Sequence, residues 1–61
     1  MSARARNPYL AESLTRPWAK GYRADRDGLT KQHNPYLKAG MRRAWWEGFD
    51  ASARDRKAGI D

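Results

Sequence analysis

Four basic residues, Arg16, Lys20, Arg23 and Arg26, recur at spacings of three or four, the interval that places side chains on one face of a helix. Guanidinium and ammonium groups held in such a row meet phosphate oxygens. That contact gives affinity without sequence choice and a steep dependence on salt. Lys31, Lys38, Arg42 and Arg43 extend the row across a connector to the start of a second helical segment. These eight are the candidate nucleic-acid contacts. The competing use of the row is an ordinary solvated helix face, partly paired with Glu12, Asp25 and Asp27.

Nothing in the chain has the pattern of a catalytic site. Ser2, Ser13 and Ser52 lack a His–acid arrangement, and the single histidine, His33, falls in a polar connector. Asp25 with Asp27, and Asp50 with Asp55, read as solvated helix acids or ion-pair partners rather than as general acid/base pairs. With no cysteine and one histidine there is no disulfide framework and no ligand set for zinc. The expectation is a binding protein with no enzyme activity, cofactor, metal or small-molecule substrate.

Charge points the same way. The net charge is +6 and the pI about 10.3. Residues 1–43 hold ten Lys/Arg against three acids, whereas residues 44–61 hold three against four. So polarised a charge suits a polyanionic partner, nucleic acid before membrane, because no stretch is apolar enough to span a bilayer. The opening MSARARNP has no apolar core and does not read as a secretory signal, so a cytoplasmic location is expected.

The elements that must position these residues are written twice. Asn7 to Ala24, NPYLAESLTRPWAKGYRA, aligns without a gap on Asn34 to Ala51, NPYLKAGMRRAWWEGFDA, at a spacing of 27 residues. Eight of the eighteen positions are identical: Asn7/Asn34, Pro8/Pro35, Tyr9/Tyr36, Leu10/Leu37, Arg16/Arg43, Trp18/Trp45, Gly21/Gly48 and Ala24/Ala51. Each unit, 7–24 and 34–51, reads as an Asn-Pro-Tyr turn leading into a helix that carries Trp-x-x-Gly-aromatic. Residues 1–6 read as a flexible basic arm, and 7–61 as a single domain.

Helix boundaries follow from local chemistry. Pro17 should interrupt any helix crossing it, so the first helix is expected from about Pro17 to Asp27, capped by Thr15 or Arg16, with Gly28 closing it in the left-handed conformation. The second should begin near Lys38 to Gly40 and run to about Lys57, with Gly59 as its stop, and be the longer of the two. At 100° per residue Trp18, Gly21, Tyr22 and Asp25 share one face, and Met41, Ala44, Trp45, Gly48, Phe49 and Ser52 share another. This predicts an all-α fold, a small antiparallel two-helix hairpin. Trp18 and Tyr22 would pack on Trp45 and Phe49, with Gly21 and Gly48 letting the backbones approach. Glycine inside a helix costs roughly 1 kcal/mol relative to alanine, so one at the same place in both units implies a steric use.

The remaining aromatics are candidates for contact. Tyr9 and Tyr36 follow proline in the turns, where they either pack over the helix entry or stack on a base. Trp46 lies at the edge of the core face beside Arg42, as an interface anchor would.

From Lys20 to Ser52 the sequence resembles the ribosome modulation factor family, in Gly21-Tyr22, Ala24, Gly28, Lys31, Pro35-Tyr36, Arg42, Trp45 and Gly48. These are small basic bacterial proteins that silence ribosomes by promoting their dimerisation. The resemblance implies two helices joined by an extended connector carrying the Pro-Tyr pair. It also implies a ribosomal partner: ribosomal RNA met by the basic row, with or without an adjoining ribosomal protein, and translation stopped by occupancy. It covers about half the chain. The family's dense N-terminal Lys/Arg run is replaced here by a second Asn-Pro-Tyr unit, and its frequent Cys before Pro-Tyr by Asn34. Such units also occur in small phage and mobile-element proteins. The alternative is therefore an inhibitor or adaptor that presents Trp46 and the turns to a host protein.

Overall fold

The computed structural model describes residues 5–59. Among them the elements are α1 (Glu12–Arg26), a short 3-10 turn (Lys31–His33) and α2 (Ala39–Lys57), with no strand. The chain is all-α, and its two helices pack against one another. The second helix is the longer, 19 residues against 15. The reading of residues 1–4 as a loose arm lies outside the described residues. At Ala5 the chain is already held, its amide donating to Asp55 Oδ2 at 2.8 Å.

Pro17 does not begin α1 but lies inside it. Its missing N–H removes one bond, that to the carbonyl of Ser13, a residue exposed near the helix start where water reaches the freed acceptor. In return its ring is fully buried. The start that the sequence reading assigned to Pro17 falls at Glu12 instead, whose carboxylate faces the positive end of the helix dipole. Gly28, at φ +83°, ends α1: its amide reaches Asp25 O (3.1 Å) and that of Leu29 reaches Ala24 O (3.0 Å), a Schellman closure. Gly59, at φ +77°, ends α2.

The helices meet at two glycines. A Cβ added to Gly21 would overlap the main-chain carbonyl of Trp45, and one added to Gly48 would overlap that of Trp18. Around this contact lie the buried Trp18, Ala24, Ala44, Trp45 and Ala51. Met41, Tyr22 and Phe49 are only half-buried. The rings stack within each helix rather than between helices, Trp18 on Tyr22 at 5.5 Å and Trp45 on Phe49 at 5.4 Å. Large rings pair along each helix because the space between the helices is closed by glycine against carbonyl.

The sense of the packing corrects the antiparallel expectation. Leu14 Cδ2 lies 3.7 Å from a Cβ built on Gly40, near the start of both helices, and Ser52 Oγ is 2.6 Å from Asp25 Oδ2 towards their ends. Were the helices antiparallel through the glycine contact, Asp25 and Ser52 would be offset by eleven residues, about 16 Å. Instead α1 and α2 run side by side in the same direction. The connector makes this possible by returning along α2. The Trp46 indole N–H donates to Lys31 O (3.0 Å), Lys31 Nζ meets Asp50 at 2.9 Å, and Asn34 Nδ2 donates to Arg42 O at 2.9 Å. Twelve connecting residues, 27–38, can span about 40 Å, well over the length of α1.

Candidate nucleic-acid interface

The two turns that launch the helices are built alike. Asn7 Oδ1 accepts from the Tyr9 amide (3.0 Å) while its Nδ2 donates to Thr15 O (2.8 Å); Asn34 does the same with the Tyr36 amide (3.0 Å) and Arg42 O (2.9 Å). Each asparagine thus fixes a turn and ties it to the helix that follows. The tyrosine carbonyls are also met at equivalent places, Tyr9 O by the Thr15 hydroxyl (2.9 Å) and Tyr36 O by the Arg42 guanidinium (2.8 Å). Neither helix has a side-chain cap.

On this frame the eight candidate cations separate. Arg16, Lys20 and Arg23 are exposed on α1, facing away from Trp18, and Lys38 and Arg43 are exposed at and near the start of α2. Among the described residues Arg16, Lys20, Lys38 and Arg43 have no salt-bridge partner, and Arg23 meets Asp27 only at 3.8 Å across solvent. The other three are engaged within the fold. Lys31 is paired with Asp50. Arg42 turns inward to Tyr36 O and lies over the Trp46 ring at 4.7 Å. Arg26 lies over the Tyr22 ring at 5.3 Å with its Nη2 3.4 Å from the Tyr22 hydroxyl. The outward row therefore centres on Arg16, Lys20 and Arg23.

The aromatic candidates also have structural duties. The Tyr9 hydroxyl donates to Glu47 Oε1 at 2.7 Å, and that hydrogen bond, together with burial, holds its pKa above the ordinary tyrosine value. Trp46, half-buried, pins the connector. Tyr36 is half-buried at its turn. The exposed His33 accepts the Thr30 amide on Nδ1 at 3.0 Å and closes a small capping box.

Of the two readings of these acids, solvated or ion-paired, Asp25 follows the second through Arg56, and Asp55 follows neither. Both are buried, at 7% and 8% exposure. Asp25 accepts from Arg56 Nη2 (2.9 Å), Arg56 Nε (3.2 Å) and the fully buried Ser52 hydroxyl (2.6 Å). Arg56, then the Ser52 hydroxyl, hold its carboxyl below the usual range against the opposing effect of burial. Asp55 takes the Ala5 amide and the Tyr22 hydroxyl (2.6 Å), and these two donors lower its pKa in that order. The placement of Asp25 on the core face signalled its burial, but nothing local signalled Asp55. A cavity of about 300 Å³ lies between the N-terminal segment and α2, lined by Arg6, Trp18, Glu47, Asp50 and Arg54 among others. Its mixed charges do not form a phosphate cradle.

Among the described residues no group of His, Cys, Asp or Glu could hold a metal ion, and no helix is long and apolar enough to cross a membrane. Comparison with known proteins finds no family model, curated protein or solved structure that matches this chain.

Proposed function

We propose that this chain is a small RNA-binding protein that docks on ribosomal RNA and blocks translation by occupancy, in the manner of the ribosome modulation factors it resembles. The observation that carries the reading is the outward row Arg16, Lys20 and Arg23, exposed on the face of α1 that packing leaves free, with no salt bridge to Arg16 or Lys20 among the described residues and only a 3.8 Å solvent-exposed one from Arg23 to Asp27. Lys38 and Arg43 add positive charge near the start of α2. Phosphates fit such a row because each contact releases a condensed counterion and asks for no base identity. No chemistry beyond binding is required.

The test is sedimentation of the tagged protein in a bacterial lysate on sucrose gradients at low and moderate salt. Co-migration with ribosomes or ribosome dimers, lost as salt rises, is the expected result. Lys20→Glu combined with Arg23→Glu should abolish co-migration while leaving the melting temperature unchanged. Protein that stays at the top of the gradient at low salt would remove the ribosome from the reading.

A further inference from the structure

The basic row leaves one feature of the surface unused. Leu10 and Leu37 are 99% and 92% exposed, and they occupy the same place in the two units, immediately after Asn-Pro-Tyr. A single exposed leucine is ordinary in a soluble protein. Two at matched positions, neither contributing to the core, call for a use outside the fold. Because the helices run in the same direction and Leu14 approaches Gly40, both helix entries, and with them both leucines, lie at one end of the molecule.

That end is also the more positive one. Residues 8–16 and 35–43 carry Arg16, Lys38, Arg42 and Arg43 against Glu12 alone. The other end, residues 23–27 and 50–57, sets five cations against four acids. Neither helix start has a side-chain cap, so the positive ends of two helix dipoles add to the same field.

We propose that this end is a docking face for a second protein, one whose surface offers two apolar pockets set in acidic surroundings. Leu10 and Leu37 fill the pockets, and the surrounding cations meet the carboxylates. A second copy of this chain fits poorly, since it would bring a like-charged end against this one. Nucleic acid satisfies the charge but gives the leucines nothing, as they neither stack on bases nor hydrogen-bond to them. Two leucines also fall short of what stable membrane anchoring takes. Arg16, Lys38 and Arg43 serve both readings, but the proposal rests on the two leucines and does not depend on the RNA reading, which alone uses Lys20 and Arg23.

The experiment places a photo-activated diazirine amino acid at position 10, 37 or 29 of the full chain, irradiates the cells that make it, and identifies the adducts by mass spectrometry. Leu29, 41% exposed beyond the far end of α1, is the control. Positions 10 and 37 should cross-link to peptides of one protein, at acidic surfaces, and position 29 should not. With that protein purified, Leu10→Ser with Leu37→Ser should weaken binding by roughly 30-fold or more without lowering the melting temperature. Lys20→Glu with Arg23→Glu should leave the same affinity unchanged even where it removes ribosome co-migration. Adducts to nucleotides, lipid or a second copy would overturn the proposal, as would yields at 10 and 37 no greater than at 29, or a double serine variant that binds as the parent does.

Discussion

Placed side by side, the units that open at Asn7 and Asn34 share their mechanics and differ in their endings. Both use asparagine to fix the turn, a donor to hold the tyrosine carbonyl, and a Trp–aromatic stack beside a glycine that receives the other helix's carbonyl. The donor is a threonine hydroxyl in one and an arginine guanidinium in the other, so the position demands a donor and not a residue type. Beyond this shared frame α2 continues for four more residues than α1, about one turn. That turn carries Asp55, which holds Ala5 and Tyr22, and Arg56, which holds Asp25. The recurring part makes the crossing, and the extra turn locks the two units together.

The comparison breaks most visibly at the glycines. Gly21→Ala and Gly48→Ala should each cost about 3 kcal/mol or more, because the neighbour to be displaced is backbone and cannot rotate away. Chemical denaturation followed by circular dichroism reads both. Losses that differ widely would show the two crossings to be inequivalent, and a negligible loss at either would remove the close approach.

Next comes the lock. Asp25→Ala should cost about 2 kcal/mol, since it strands the buried Ser52 hydroxyl and frees Arg56. Acid should act on the same groups. The carboxyls of Asp25 and Asp55 titrate lower in the folded chain than in the unfolded one, so their contribution is fully present above the ordinary aspartate value of about 3.9. It is lost as pH falls from there through the folded values. Melting temperature followed from pH 6 down to 2.5 should drop below about pH 4, and the drop should be shallower in Asp25→Asn. A drop of equal depth in both proteins would assign acid sensitivity elsewhere.

Smaller effects sharpen the shared frame. Asn7→Ala and Asn34→Ala should cost about 1–2 kcal/mol each and by similar amounts, as each removes the same pair of bonds. Unequal losses in urea denaturation would mean that one turn is also held by something else. Thr15→Val should cost about 1 kcal/mol, and Arg42→Met some 0.5 kcal/mol more through the lost stack on Trp46. Equal losses would show that the stack adds nothing.

Much of this frame was legible in the chain. The extent of α2, the stops at Gly28 and Gly59 and the use of Gly21 and Gly48 follow from local rules, because a glycine past a helix end or inside a helix has few other reasons to be there. The start of α1 did not follow, since the cost of Pro17 inside a helix is offset by the full burial of its ring. Of the candidate interface, the exposure of Arg16, Lys20 and Arg23 followed from helical spacing alone. The inward turn of Arg42 and the pairing of Lys31 depend on the path of the connector, which no local pattern encodes.

By itself, then, the sequence determined two helices, their stops, the glycine faces that must meet and the charge that surrounds them. Those properties rest on interactions within a few residues, or on the sum of charges. Tertiary structure decided the direction of packing, the burial of Asp55, the partners of Asp25, and the gathering of Leu10 and Leu37 at one end. Each of these depends on which of two compact arrangements of the same faces the connector allows. Twelve residues long enough to return along α2, and held there by Trp46 and Asn34, chose the parallel one.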